Sequence, residues 1–324
     1  MSGKMTSTRL MVGVLALLSL GMACNAGAQG YPSRSIRLVV PLAGGGSDLA
    51  ARAVAVPLGE ALGQPVVVEN RPGAGGVLGV DMVAKAPPDG YTFLMGSSTT
   101  MAANLFLYQN IPFDPVKDFV PLAMLGTIDF ALVVSPVSQA RSVRDLIAMA
   151  KAKPGQLNYG FGSSAALLCG ELFKGAAGID ITKVPYKASP QAITDVMTDR
   201  LQLLCEPLVS TLPHIKAGNL RIIGMTSPKR SSLVPDVPTL IESGVPLEFA
   251  TWAAFFAPAN APAEALGKLR VALLKVLTAP GMDQVIQRTG FVPTPAGAEE
   301  LGAIQKAEIA RISKVVKDAG IKAE

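Results

Sequence analysis

The chain has 324 residues, 49% hydrophobic and 5% aromatic, with 29 basic and 24 acidic side chains, three cysteines and one histidine. A net charge of +5 without a basic cluster leaves no electrostatic footprint for nucleic acid. One histidine and scattered cysteines supply neither a metal cluster nor a cofactor site, and the apolar content suffices for one large or two medium-sized cores.

Residues 1–28 have the form of a cleavable secretory signal: Lys4 and Arg9 form a basic start, 10–22 is apolar but shorter than the ~20 residues that span a bilayer, and Ala26-Gly27-Ala28 is a small-x-small cleavage site. The mature chain is expected to begin at Gln29 and to be soluble. Acylation at Cys24 is the rival reading, but Leu20 stands one place too far upstream of it. Removing the signal takes two basic residues and no acidic ones, leaving 27 against 24 and a charge of +3. Cys169 and Cys205 remain. An oxidising compartment would allow them to pair, but each follows two leucines, and such isolated cysteines more often serve as small core residues. The expectation is two unpaired core thiols, with the bridge as the alternative.

In chain order, an apolar strand over 36–40 runs through Pro41-Leu42-Ala43-Gly44-Gly45-Gly46-Ser47 into a helix over 48–62. A strand over 65–69 leads through Asn70-Arg71-Pro72-Gly73-Ala74-Gly75-Gly76 to a helix over 77–85. Pro87-Pro88-Asp89-Gly90 breaks that helix, and a strand over 91–95 ends in Gly96-Ser97-Ser98-Thr99-Thr100. Strands follow at 122–125 and 131–134. Ser142 caps a helix reaching 151, with Asp145 three residues on. A second series then has strands at 157–160, 184–187, 201–205 and 220–225, and helices at 165–175, 190–197 and 211–217. An extended apolar stretch at 251–257 precedes three amphipathic helices, 263–278, 281–289 and 298–319, with only Phe291-Val292 strand-like between them. Strand alternating with helix is the signature of a mostly parallel α/β sheet. The two series give two lobes, 29–126 with 252–324 and 127–251, joined by crossings near 126 and 252.

Ligands of such sheets bind beyond the carboxyl ends of the strands, and there the candidates lie. Ala43, Gly44, Gly45, Gly46 and Ser47 present bare N–H groups at a helix start, a place for an anion. Asp48 either contacts ligand or is a first-turn acid favouring the helix dipole. Ser97, Ser98 and Thr99 offer hydroxyls and amides. Gly162, Ser163 and Ser164 precede a helix that one serine can cap. Ala188 and Ser189 form a similar helix start. Cys205 and Glu206 end a strand, and Glu206 can receive a ligand amine or hydroxyl or form a solvent salt bridge. Arg52 is expected to face solvent or the sheet edge. Gly73-x-Gly75-x-x-x-Gly79 is not a dinucleotide fingerprint, because Asn70-Arg71-Pro72 separates it from the strand. His214 reads as a surface or capping residue, and without a Gly-x-Ser-x-Gly elbow it makes no hydrolase triad.

The segments Arg37-Leu38-Val39-Val40-Pro41, Val67-Val68-Glu69-Asn70-Arg71-Pro72-Gly73-Ala74-Gly75-Gly76, Pro88-Asp89-Gly90-Tyr91-Thr92, Lys117-Asp118-Phe119, Leu157-Asn158-Tyr159-Gly160, Val184-Pro185-Tyr186-Lys187 and Pro235-Asp236-Val237-Pro238-Thr239 resemble, in order and spacing, the Bug family of periplasmic solute receptors of tripartite tricarboxylate transporters. The resemblance covers nearly all of the mature chain. It implies a type II periplasmic binding protein fold with a two-segment hinge. It also implies a monomeric, non-enzymatic receptor that closes on a small carboxylate held by backbone amides and water, and delivers it to membrane subunits of the transporter. Three places depart from the family: the turn at 41–48 is shorter, the turn at 161–164 is shorter and has Leu167 where a histidine is usual, and Cys205-Glu206 stands for Phe-Asp. The alternatives are a binding module that signals to a sensor kinase and, remotely, a secreted hydrolase using Ser164.

Overall fold

A parallel strand covered on both faces needs a continuous apolar run. Ile36, Leu38, Val39 and Val40 are all fully buried in β1 (Ile36–Val40). The structure, a computed structural model, describes residues 30–42, 44–318, 320, 321 and 323; the expected signal segment 1–28, with Cys24, lies outside them. β1 pairs in parallel with β2 (Val66–Asn70) and β3 (Thr92–Ser97). The crossovers are α1 (Gly45–Leu62) and α2 (Val77–Ala84). In α1, Ala50, Ala51, Val54 and Leu58 fall on one face and are fully buried, while Leu49 and Val56 point outward. A left-handed Gly63 (φ 72°) ends the helix.

After β3 the chain makes a π-helical turn (Thr99–Ala103) and a short α3 (Asn104–Leu107), neither anticipated. It then enters β4 (Phe119–Val134), a single strand of 16 residues where two are predicted at 122–125 and 131–134. The polar interruption at Thr127 and Asp129 does not break it, because β9 (Ala250–Pro258) pairs along it from Phe119 to Asp129, with register shifts beside Pro121 and Gly126. The far end of β4 pairs antiparallel with β7 (Leu203–Pro207) and β8 (Arg221–Met225). Beyond β7 lie β5 (Asn158–Phe161) and β6 (Thr182–Pro185), both parallel to their neighbours. The order is β2-β1-β3-β9-β4-β7-β5-β6. The second half carries α4 (Val143–Ala152), α5 (Ser164–Ala177), α6 (Ser189–Met197) and α7 (Leu208–Lys216).

The chain returns through β9 to α8 (Ala263–Leu277), α9 (Met282–Arg288), β10 (Val292–Gly297) and α10 (Ala298–Asp318). β10 extends well past the expected Phe291-Val292. It tolerates Pro293 and Pro295 because it lies along one edge of β4 only. Its backbone passes so close to Gly126 that a Cβ there would overlap the Val292 carbonyl oxygen. α10 touches both halves. Leu301 packs with Trp252 and Phe256, and buried Gln305 donates from Nε2 to the carbonyls of Met101 (3.1 Å) and Pro115 (3.0 Å). Further along, Ile312 joins Leu168 and Phe173 of α5, and Arg311 donates to the Glu248 carbonyl at 3.4 Å.

The expectation for the cysteines is corrected. Cys169 of α5 and Cys205 of β7 form a disulfide, with Cα atoms 6.0 Å apart and both residues at 1% exposure or less. α5 lies across β7, which brings together two residues 36 apart in sequence.

Candidate functional site

The glycine turn after β1 becomes helical sooner than the predicted residue 48. α1 begins at Gly45, so Gly45, Gly46 and Ser47 are its first turn, where N–H groups have no partner within the helix. Gly44 before it has φ 68°, a conformation open to glycine, and no side chain caps the helix. Ala43 lies outside the described residues. Gly46 rests on the link between α9 and β10, where a Cβ would overlap the Thr289 carbonyl oxygen. Asp48 is a brace for this turn: Asn70 Nδ2 donates to its Oδ1 and to the Leu42 carbonyl, both at 2.9 Å, and Arg52 Nε donates to the same Oδ1 at 3.1 Å. The Asn70 bond first, then the Arg52 bond, hold the Asp48 carboxyl below the usual carboxylate range. Arg52 reaches the end of β2 through Asn70 Oδ1 at 2.8 Å.

At the end of β3, Thr100 Oγ1 accepts the Ser97 N–H at 2.9 Å, and the Ser97 hydroxyl accepts the Thr100 N–H at 3.3 Å. Ser97 is thus tied into its own loop. Ser98 is buried and Thr99 half-buried at the start of the π-helical turn, a local form that often marks functional sites.

In the second half the predicted loops meet. Ser163 caps α5, accepting the Ala166 N–H on its hydroxyl at 3.2 Å, and Ser164 is the first helical residue. Gly162 presses on the start of α6: a Cβ there would overlap the Ser189 nitrogen and the Ala188 carbonyl carbon. Ser189 Oγ donates to Glu206 Oε1 at 2.7 Å. Glu206, expected in a loop, is the fourth residue of β7 and only 1% exposed, so the solvent salt-bridge reading does not apply. Burial lifts its carboxyl from an ordinary 4.5 to about 7, with the Ser189 hydroxyl pulling weakly the other way. The Cys205 side chain points to the opposite face of β7 and is consumed by the disulfide, leaving only its backbone at the loop.

The two series of elements approach each other in two places. On one flank Thr289 touches Gly46, and the next residue, Gly290, would place a Cβ 2.9 Å from Val209, three residues past Glu206. On the other flank a cavity of about 320 Å³ is lined by Leu107 and Tyr108 from the first half and by Phe161–Ser164, Leu167, Tyr186 and Lys187 from the second. Sequence reasoning passed over Asn70, Tyr108 and Lys187. The first stands in the Asn-Arg-Pro-Gly-Ala-Gly-Gly motif and the last directly precedes Ala188, so both had a signal. Tyr108 had none, since α3 was not foreseen.

A mixed ten-stranded sheet flanked by helices, with β9 and β4 at the middle of its strand order, is the architecture of the periplasmic binding proteins. Residues 50–321 match the model of the tripartite tricarboxylate transporter family receptors, and the chain belongs to that family. It is 36% identical to protein BugT of Bordetella pertussis over 98% of this chain and 99% of that protein. Among solved structures it is similar to the R. palustris Rpa4515 protein with adipate, at 34% identity and a TM-score of 0.79, over 91% of this chain and 100% of that one. It is also similar to MatC of Rhodopseudomonas palustris with bound malate, at 28% identity and a TM-score of 0.73, over 88% and 100%. The family is one of receptors rather than enzymes, which sets aside the hydrolase reading of Ser164.

Proposed function

We propose that this chain is a periplasmic receptor that captures a small organic carboxylate between two lobes, 29–126 with 252–324 and 127–251, and hands it to the membrane subunits of a tripartite tricarboxylate transporter. The observation that carries the reading is the pair of helix starts, Gly45–Ser47 on α1 and Ser164 on α5, each following a strand end, with Ser164 lining a cavity that Leu107 and Tyr108 also border. They offer an anion backbone N–H groups and the positive end of a helix dipole. Adipate and malate, the acids held by two similar receptors, belong to the same chemical class. Ligand favours the closed arrangement about β4 and β9, the two covalent crossings. Cleavage after residue 28 releases the monomeric receptor into the periplasm.

Thermal-shift screening against mono-, di- and tricarboxylates tests this. Ligand at a hundred times its dissociation constant stabilises by about 2.7 kcal/mol, a shift read directly in the melt. Stabilisation by amines or sugars and by no acid would overturn the proposal.

A further inference from the structure

The carboxylate reading above leaves open which acids fit, and Glu206 bears on that choice. Glu206 is only 1% exposed, yet no charge compensates it. One oxygen, Oε1, accepts from Ser189 Oγ. The other, Oε2, accepts no hydrogen bond from the described residues. A buried carboxyl with an open oxygen is costly unless something donates to it.

A purely structural role does not account for this. Glu206 does not cap α6, whose first turn has no side-chain cap. It takes part in no ion pair among the described residues. Yet its position is fixed from three directions: the Cys169–Cys205 bond anchors the preceding residue to α5, Gly162 is pressed against Ser189, and Ser189 holds Oε1. The acceptor is therefore preorganised, one contact away from the amides at Gly162–Ser164. A ligand carboxylate seated on those amides would have only Ser189 between it and Glu206. A bare acid places nothing there to satisfy the oxygen, while a hydroxyl or ammonium group does.

We propose that Glu206 is a specificity-determining residue that selects carboxylic acids bearing a hydroxyl or ammonium group on the carbon next to the carboxylate, receiving that donor on Oε2. The test uses matched acids of three to six carbons, each as the plain acid, the 2-hydroxy acid and the 2-amino acid, titrated calorimetrically into wild type, Glu206→Gln and Glu206→Met. A substituted acid is expected to bind at least about tenfold more tightly than its plain counterpart, because a site built around a donor is left unsatisfied without it. Glu206→Gln, which keeps the shape and serves as the folding control, should lose most of the preference for the 2-amino acid. Glu206→Met should bring substituted and plain acids to within about threefold of each other. Equal binding of plain and substituted acids by the wild type sinks the inference while leaving the receptor reading intact. So does a Glu206→Met variant that weakens both by the same factor, since Glu206 would then only hold α6. Absence of binding by every acid of the series removes the receptor reading itself, and the inference with it.

Discussion

Replacing Cys169 and Cys205 together by alanine frees a loop of 36 residues in the denatured chain. Loop-closure entropy over that length is about 13 cal/mol/K, or about 4 kcal/mol at 25 °C. Both sulfurs sit in the core beside Leu168, Phe173 and Leu203, so the lost packing adds to that figure. With a urea m-value of about 3 kcal/mol/M, the midpoint should fall by at least about 1 M. The bond also joins β7, which carries Glu206, to α5, which opens at Ser164. The variant should therefore bind its acid several-fold more weakly even when fully folded, and calorimetry in the absence of urea reads this separately. Unfolding without reductant, followed by alkylation, should modify neither cysteine of the wild type. Two alkylated cysteines, or coincident urea midpoints for wild type and variant, would refute the reasoning.

Gly162→Ala puts a Cβ into the Ser189 nitrogen, so the loop or the start of α6 must move. A loss of about 1–3 kcal/mol in thermal unfolding and a weaker acid affinity are expected; an unchanged melt contradicts the close approach. Asn70→Ala removes the donor shared by Asp48 and the Leu42 carbonyl, costing about 1–2 kcal/mol, and in carboxylate titrations it should loosen binding by releasing the turn at 41–48. Glu206 also makes stability depend on pH. Its folded pKa of about 7 lies above the ordinary 4.5, so the folded chain holds the extra proton. The stability is complete below about 4.5 and falls as pH rises towards 7, by about 3 kcal/mol for this one group. Urea unfolding of the ligand-free protein from pH 4.5 to 8 should show a steeper decline in wild type than in Glu206→Gln, where half-buried Asp129, its carboxyl also raised by burial, still contributes; parallel curves would count against it. Gln305→Leu strands the Met101 and Pro115 carbonyls and should cost about 2 kcal/mol in the same assay.

What could be read from the sequence follows from where the determinants lie. The strand-turn-helix units of both halves were legible because their signals are local: apolar runs such as 36–40, glycine turns, and the cap at Ser142. β4 was not, because the residues that keep Thr127 and Asp129 extended belong to β9, more than a hundred positions away in the chain. β10 hid behind two prolines that only an edge position permits. The glycine turns at 44–47 and 162 were found as candidates, but the reasons for glycine at 46 and 162, the nearness of Thr289 and of Ser189, are tertiary. The disulfide went the wrong way for the same reason: leucines before each cysteine announce burial equally well for a thiol and for a bridge. Glu206 was picked out by its position after an apolar strand, yet nothing local distinguishes a buried acid from one in water.

α10 has a mechanical consequence. Two strands side by side, like two pins in a door, permit a swing. A third attachment set away from their line acts as a stay. Gln305 fastens one stretch of α10 to Met101 and Pro115, while Arg311 and Ile312 fasten the next to Glu248 and α5. Any rotation of the second half about β4 and β9 must therefore drag α10 along or slide it over α5. The groove of about 560 Å³ between them, lined by Leu172, Gly175, Ala176, Ala310, Lys314 and Val315 among others, is room for such a slide. Packed helices shift by small steps, so any such swing would be limited by how far α10 can move over α5, at a groove lined by none of the candidate ligand-binding residues.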